Sequence, residues 1–596
     1  MNTLLKKHFE NYGFDEQFFA EYEQSTAEEM KNTRELCDRL LRVRNEKKKI
    51  VIYTDFDVDG IMSSVVAYAG LSELGFNVSL FNPTPSNGYG FRIDDVEEIC
   101  NAYPDVSVIL TGDVGVASHD AIAEAHARGL QVLVTDHHIG KTACTADITV
   151  NPNQFGETYS HNGICGSYVL YKVIELFANL YEPDDVVESI RYLKLFAGIA
   201  TISDSMPLLY ENRQLVRDSV YLVKRLYDND VANILPVCAH SVHYVQPFIG
   251  IKELLKYFVG NRKIKSVTDI NEQFYGFYLV PFLNSCKRMD GDMRGVYDIF
   301  FGNYVHSSPD FPNMACVENG IDYIDKLSTE RKKLTAQYFD ALRKEREEDA
   351  TDNAHYMQCG VYITDARAGL LGLLGGKFFN LTGQPTLVVN ANEDGSYSGS
   401  GRNPSWFDFT SRLYEFNPSI TCEGHKEAFG IVFPDKRALD SYVCFFRDVF
   451  LPAQALLLLE TGDNEPTNVS IGYAADVDFI PDKTLVKDYL HELEQYRPYG
   501  RAFPEPVFDF CFDLNDVDIE AKTFGNESQH LRLKTPSGID ILLFGQTLDY
   551  ERAKQSCAGR QGKVTCIGTF HYDTYNKTEQ DAINFIANDF CVDIEE

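Results

Sequence analysis

Three short apolar runs rich in β-branched residues each end on an aspartate: IVIYTD at 50–55, SVILTGD at 107–113 and LQVLVTD at 130–136. Runs of that length and composition read as strands, and the stretches GIMSSVVAYAGLSELG at 60–75 and HDAIAEAHARG at 119–129 read as helices between them. Two further strands are predicted at 77–83 and 147–152. Strand and helix in alternation build a parallel sheet, because parallel neighbours need a crossover rather than a tight turn. In such sheets ligands bind outside the carboxyl ends of the strands, so Asp55, Asp113 and Asp136 are expected along one edge. A single acid there is commonly a helix N-cap. Three acids with a histidine pair point to a shared site.

The residues that follow these runs sharpen the chemistry. Asp55, Asp57 and Asp59 alternate in DFDVDG (55–60), and TDHH (135–138) joins Asp136 to His137 and His138. Crowded carboxylates repel one another unless cations share them, and carboxylate oxygen with imidazole nitrogen suits hard divalent ions. Metal-assisted hydrolysis of a phosphoester is the reaction class this pattern predicts. The formal net charge of -33 runs against a nucleic-acid partner, whose phosphates usually leave a basic footprint. A whole-chain sum does not describe a local groove, however, and carboxylates that hold ions are neutralised by them.

At 596 residues the chain exceeds one comfortable hydrophobic core, and three or four domains are expected. The predicted architecture is multidomain α/β. An N-terminal helical segment (1–48) precedes a parallel-sheet catalytic domain (49–316), a connecting helix (317–350), a smaller α/β domain (351–455) and a C-terminal β-barrel (456–596). The connecting helix is read from Ile321, Ile324, Leu327, Leu334 and Leu342 in a charged, proline-free stretch, which suits a solvent-exposed linker. No apolar stretch approaches the roughly 18 residues of a membrane span. The first residues lack the apolar core of a secretion signal, and the 14 cysteines form no C-x-x-C pair. A cytoplasmic setting with reduced thiols is expected.

Taken in order, DFDVDG (55–60), TGDVGV (111–116), TDHH (135–138), NPNQ (151–154) and AGIATISDSMPL (197–208) resemble the motifs of the DHH phosphoesterase superfamily. LNSCKRM (283–289), SGSGRNPSWFDF (398–409), EGHKEAFG (423–430), RPYGRAFPEPVF (497–508) and the segment 568–590 are similar to later parts of its RecJ-type branch. The likeness thus spans nearly the whole chain. It implies a DHH domain on the parallel sheet, a DHHA1 nucleic-acid-binding domain at 351–455 and an OB-like barrel at 456–596. The implied activity is a 5′→3′ exonuclease releasing 5′-mononucleotides from single-stranded DNA in repair, recombination or replication.

The resemblance also implies residue roles. Two divalent cations, manganese preferred and magnesium admitted, would be held by Asp57, Asp59, Asp113, His137 and Asp204. Asp113 would bridge them, with Asp55 a further ligand or an outer acceptor. His138 would face the scissile phosphate as hydrogen-bond donor or general acid, in one catalytic group with Asp113 and Asp136. Ser400, Gly401 and Arg402 would hold the 5′-terminal phosphate, with Arg288 and His425 along the same channel. Two positions depart from the family pattern: Tyr53 stands where some members have a histidine ligand, and Thr84 stands near an expected arginine, with Arg92 as a substitute. The expected partner is single-stranded DNA, entered from its 5′ end by a monomeric chain without a membrane. A single-strand-binding protein or a helicase would act beside it. One alternative is a small-substrate DHH phosphodiesterase for short oligonucleotides or cyclic dinucleotides, which needs no C-terminal barrel. The other is a non-catalytic scaffold for single-stranded DNA, which should have lost ligands that are all present here.

Overall fold

A computed structural model describes residues 3–14, 18, 29–81, 83, 90–236, 241–261, 263–289, 293–302, 314–348, 353–424, 426–461, 483–514, 518–525, 529–556, 562–573 and 582–594. The chain forms two compact units. The larger comprises residues 29–204 and 218–471, and the smaller comprises residues 1–28, 205–217 and 472–596.

The first sheet of the larger unit is wholly parallel. Its strands β1 (Lys49–Thr54), β2 (Val78–Phe81), β3 (Val106–Gly112), β4 (Gln131–Thr135) and β5 (Ile148–Val150) lie in the order β2-β1-β3-β4-β5. Winding runs from β1 to β2 on one side and then returns to β3 on the other. The crevice at the carboxyl ends of β1 and β3 is therefore the topological switch point. Helix α1 (Val58–Glu73) leaves β1 and is buried on almost every side. Its small residues let neighbouring helices approach: a Cβ on Gly70 would lie 3.0 Å from Ile174 Cγ2. Helix α2 (Ile93–Ala102), which the sequence pattern did not announce, carries IDDVEEICNA and buries only Asp95, Val96 and Ile99. Helix α3 (His119–Ala127) covers the same face, followed by α4 (Gly166–Tyr181) and α5 (Lys194–Ser203).

Helix α6 (Met314–Glu348) runs 35 residues and is less exposed than its polarity suggests. Ile321, Ile324, Ser328, Arg331, Thr335 and Leu342 are all buried, at steps of three, four and seven that trace one face. Leu327 and Leu334 are half-buried at its flank. A second sheet follows, built from β6 (Val361–Ile363), β7 (Thr386–Ala391), β8 (Tyr397–Arg402), β9 (Thr421–Gly424) and β10 (Ala428–Phe433) in the order β6-β7-β8-β10-β9. Only β6 and β7 pair in parallel. Helix α7 (Ala368–Thr382) packs on this sheet, and Leu387, Val389, Phe429, Ile431 and Phe433 lie in its core. The S-G-S-G segment, whose composition also suits a turn, is the body of β8.

The smaller unit is a six-stranded mixed sheet of β11 (Phe508–Asp513), β12 (Glu520–Phe524), β13 (His530–Lys534), β14 (Ile539–Leu543), β15 (Gly562–Tyr572) and β16 (Ile583–Ile594). The order is β11-β15-β16-β14-β13-β12, antiparallel except between β14 and β16. The helix Thr3–Tyr12 belongs to this unit, where His8 Nε2 lies 3.0 Å from the Pro504 carbonyl and the Phe9 ring lies 4.8 Å from that of Tyr496. Among the described residues no helix is long and apolar enough to cross a membrane.

Candidate metal centre

The loop after β1 turns at Asp57, whose Oδ1 caps α1 by accepting from the amides of Asp59 and Gly60, each at 3.1 Å. Asp59 faces the start of α4, where its two oxygens accept from the amides of Gly166 (2.7 Å) and Ser167 (2.9 Å). Asp113 follows β3 with φ 62°, in the left-handed region. Such a conformation costs a residue with a Cβ about 1 kcal/mol or more, and aspartate tolerates it better than most. Gly166 keeps the space beside it open, since a Cβ there would lie 2.6 Å from the Asp113 Cβ.

Around Asp113 the acids and imidazoles converge. Three groups each bring their ligand atoms within 4.8 Å of one another: Asp55, Asp57 and Asp113; Asp59, His137 and Asp204; and Asp113, His137 and His138. His137 Nε2 stands 3.2 Å from Asp113 Oδ1, 3.6 Å from Asp204 Oδ2 and 3.9 Å from Asp59 Oδ2. Among the described residues, the buried oxygens Asp55 Oδ1 and Asp113 Oδ1 accept no hydrogen bond. Anionic oxygens left in that state are unfavourable without a cation. The donor set therefore fits divalent ions.

Asp136 is placed differently. Its Oδ1 accepts from the amides of His137 (2.7 Å) and His138 (3.1 Å) and from His138 Nδ1 (2.8 Å), while Oδ2 accepts from Val116 N at 2.9 Å. It faces the histidine rather than the carboxylate groups, so it orients the His138 ring. Burial opposes ionisation of Asp136, but the His138 hydrogen bond and charge outweigh it and hold the carboxyl below its usual range. Burial also opposes protonation of His138, yet Asp136 raises it to about 9. The NPNQ segment secures this turn: Asn151 Nδ2 donates to the His138 carbonyl (2.9 Å) and Asn153 Nδ2 to that of His137 (2.6 Å). Burial and the charge of Asp57 push Asp55 up to about 7, and burial with the surrounding acids pushes Asp113 well above the carboxylate range.

Lys287 was not singled out from the sequence, although it lies in the LNSCKRM segment. Its Nζ sits 3.4 Å from Asp57 Oδ2 and 3.8 Å from Asp55 Oδ2. Tyr53 points out of the site, donating to the Gly90 carbonyl (2.8 Å) and Asp95 Oδ2 (3.0 Å). The Arg92 guanidinium is engaged by the same Asp95 at 2.9 Å. Thr84 and His425 lie outside the described residues.

A cationic cluster stands beside the acids. Burial, together with the positive charges of Arg331 and Arg402, lowers Arg288 to about 10. Arg402 Nη1 donates to Ser400 Oγ (2.9 Å) and to the Gly401 carbonyl (2.7 Å). Gly372 of α7 makes room, for a Cβ there would lie 2.8 Å from Arg402 Nη2 and 3.2 Å from Ser400 Oγ. At Gly401 the Phe429 ring occupies the place of a side chain, 2.3 Å from an ideal Cβ, so packing accounts for that glycine. Arg331 was missed by sequence reasoning. The available signal was an arginine on the inward face of α6.

Residues 49–199 match the DHH family, N-terminal domain, and residues 478–586 match the RecJ OB domain. Both matched segments are domains that the RecJ-type resemblance of the sequence motifs implies. The chain is 26% identical over 513 residues to the single-stranded-DNA-specific exonuclease RecJ of Bacillus subtilis (strain 168), a match covering 85% of this chain and 57% of that protein. It thus spans little more than half the length of that relative. RecJ from Thermus thermophilus in complex with Mn2+ has the same fold, with a TM-score of 0.69 at 19% identity over 99% of this chain and 76% of that one. The Mg2+ complex of the Thermus protein matches with a TM-score of 0.63 at 17% identity, over 99% of this chain and 74% of that one.

Proposed function

We propose that this chain is a divalent-metal-dependent 5′→3′ exonuclease that hydrolyses single-stranded DNA to 5′-mononucleotides. The observation that carries the reading is the meeting at Asp113 of a carboxylate triad and a His137-centred group, in the same unit as Arg288, Arg331 and Arg402. The Bacillus relative is named for activity on single-stranded DNA, and the Thermus structures hold Mn2+ or Mg2+. Asp55, Asp57 and Asp113 would hold one ion and Asp59, His137 and Asp204 the other, with Asp113 in reach of both. Ions bound there supply an activated water and neutralise charge on the reacting phosphoryl group, and the mixed oxygen and nitrogen donors favour manganese over magnesium.

The chain's own residues do the rest. Asp136 holds Nδ1 of His138, so the ring delivers its proton from Nε2 towards the departing 3′-oxygen. Ser400, Arg402 and Arg288 orient the 5′-terminal phosphate, a task that suits a planar guanidinium. Lys287 adds positive charge at the edge of the centre. In this reading residues 49–316 are the catalytic DHH domain, 317–350 the connecting helix and 351–455 the DHHA1 domain. Residues 456–596 then add backbone and stacking contacts to longer strands. A monomer in the cytoplasm, working in DNA repair with a single-strand-binding protein or helicase, completes the proposal.

The test is direct. With manganese, 3′-labelled single-stranded DNA should shorten progressively, while 5′-labelled DNA should release its label at once as a mononucleotide. Release of label first from the 3′ end, or no cleavage beyond a few nucleotides, would favour a different DHH activity.

A further inference from the structure

Away from the metal centre, α6 and α7 enclose a cavity of about 470 Å³ whose lining includes Arg331, Lys332, Thr335, Leu373, Lys377 and Asn380. Three of the lining residues are cations and none is an acid, in a chain whose net charge is -33. Such a local reversal of sign is what a polyanion selects. Among the described residues the cations are also little engaged by carboxylates. Lys377 Nζ rests 5.1 Å over the Phe339 ring, and Asp325, the acid nearest in effect to Lys332, accepts from the Tyr257 hydroxyl. Lys263 adds a further like charge to the surroundings of Lys332.

Arg331 decides the reading. It is only 7% exposed, and its buried Nε has no hydrogen-bond acceptor among the described residues. A buried guanidinium nitrogen without an acceptor is a liability in a purely structural position. The same side chain lines the cavity and acts on Arg288, which also feels Arg402. Positive charge therefore continues from the Ser400–Arg402 end of β8 through Arg331 into the groove. Ala336 and Gly376 also line it, and nothing lies within 4 Å of a Cβ built on Gly376, so a backbone can come close.

We propose that the groove between α6 and α7 is a second phosphate-binding site for the nucleotide chain, joined by Arg331 to the cluster that holds the 5′-terminal phosphate. The inference rests on the exonuclease reading for the identity of the ligand. Its phosphates belong either to the body of the bound strand or to the departing mononucleotide. No aromatic side chain is among the lining residues, so the site grips phosphate and not base, and it is indifferent to sequence.

The experiment uses the full chain carrying Lys332→Glu and Lys377→Glu, both outside the metal centre. Binding of 3′-fluorescein dT20 is followed by anisotropy in EDTA across a salt series, and binding of dTMP is followed by calorimetry. About tenfold weaker dT20 binding, with a log–log salt slope smaller by about 1.4, assigns the groove to the strand. A comparable loss confined to dTMP assigns it to the product. Wild-type affinity and slope for both probes overturn the proposal. Hydrolysis of dT4 with manganese is measured in parallel and should match the wild type. If the unsubstituted protein hydrolyses no strand yet dT20 binding depends on the two lysines, the enzymatic reading falls and the groove stands.

Discussion

Asp113 takes part in two of the three ligand groups, and its left-handed backbone shows how far the chain bends to place one carboxylate. Asp113→Ala should abolish hydrolysis more completely than Asp55→Ala. On the proposed reading Asp113 would hold both ions, whereas water would replace Asp55. Metal titration by calorimetry should show both sites lost in the first variant and at most one in the second; equal residual activity would remove the bridging role. The same acids set a pH dependence. Because the folded pKa of Asp55, about 7, lies above its unfolded value, the folded metal-free protein binds more protons between pH 4 and 7. Stability should therefore fall as pH rises through that window. Metal competes with those protons, so the stabilisation it gives should grow with pH. Melting curves at pH 5.5 and 8, with EDTA or manganese, should show these opposite trends, and Asp55→Asn should flatten the metal-free one by several degrees.

At the scale of elements, the cluster proposed to hold the 5′-phosphate depends on how closely α7 approaches β8. Arg402→Ala should reduce kcat/KM on 5′-phosphorylated strands by roughly ten- to a hundredfold, since a charge-assisted contact is lost, and should affect 5′-hydroxyl strands much less. Gly372→Ala tests the same contact from the opposite element. Its methyl would meet the flexible end of Arg402, so the fold should survive while the arginine is displaced. A few-fold loss of 5′-phosphate preference with unchanged metal affinity is the expected result. A uniform decline on both kinds of strand would make Arg402 a general backbone contact. Arg402 was legible in the sequence, whereas Gly372 and its place against the arginine were not, because a glycine's neighbours are set by packing and not by pattern.

For the whole molecule, the division into units is the least local feature. Residues 205–217 lie between α5 and the remainder of the larger unit in sequence, but they belong to the smaller one. Arg213, 1% exposed, donates to the carbonyls of Tyr496 and Pro498 and lies 3.8 Å over the Phe503 ring. Removing it leaves two buried acceptors and a ring face unsatisfied, a loss of about 2–4 kcal/mol. In urea unfolding, Arg213→Ala should lower the midpoint of the C-terminal unit and leave the metal-bound unit's transition in place. A single transition displaced as a whole would show that the two unfold together.

The sequence by itself determined the parallel sheet and the acids at its strand ends, because β-branched runs and apolar periodicity act over a few residues and register directly in local pattern. It also exposed Asp55, Asp57, Asp59, Asp113, Asp136 and the histidine pair as a chemical vocabulary. Only the tertiary structure decided the grammar. It brought Asp204 to His137 from 67 positions along the chain, set Lys287 against Asp57, and turned Asp136 towards a histidine instead of the other acids. It turned Arg331 inward from a helix whose composition reads as exposed. Each of these results depends on which surfaces pack together, and packing free energy is summed over contacts distant in sequence that no local propensity encodes.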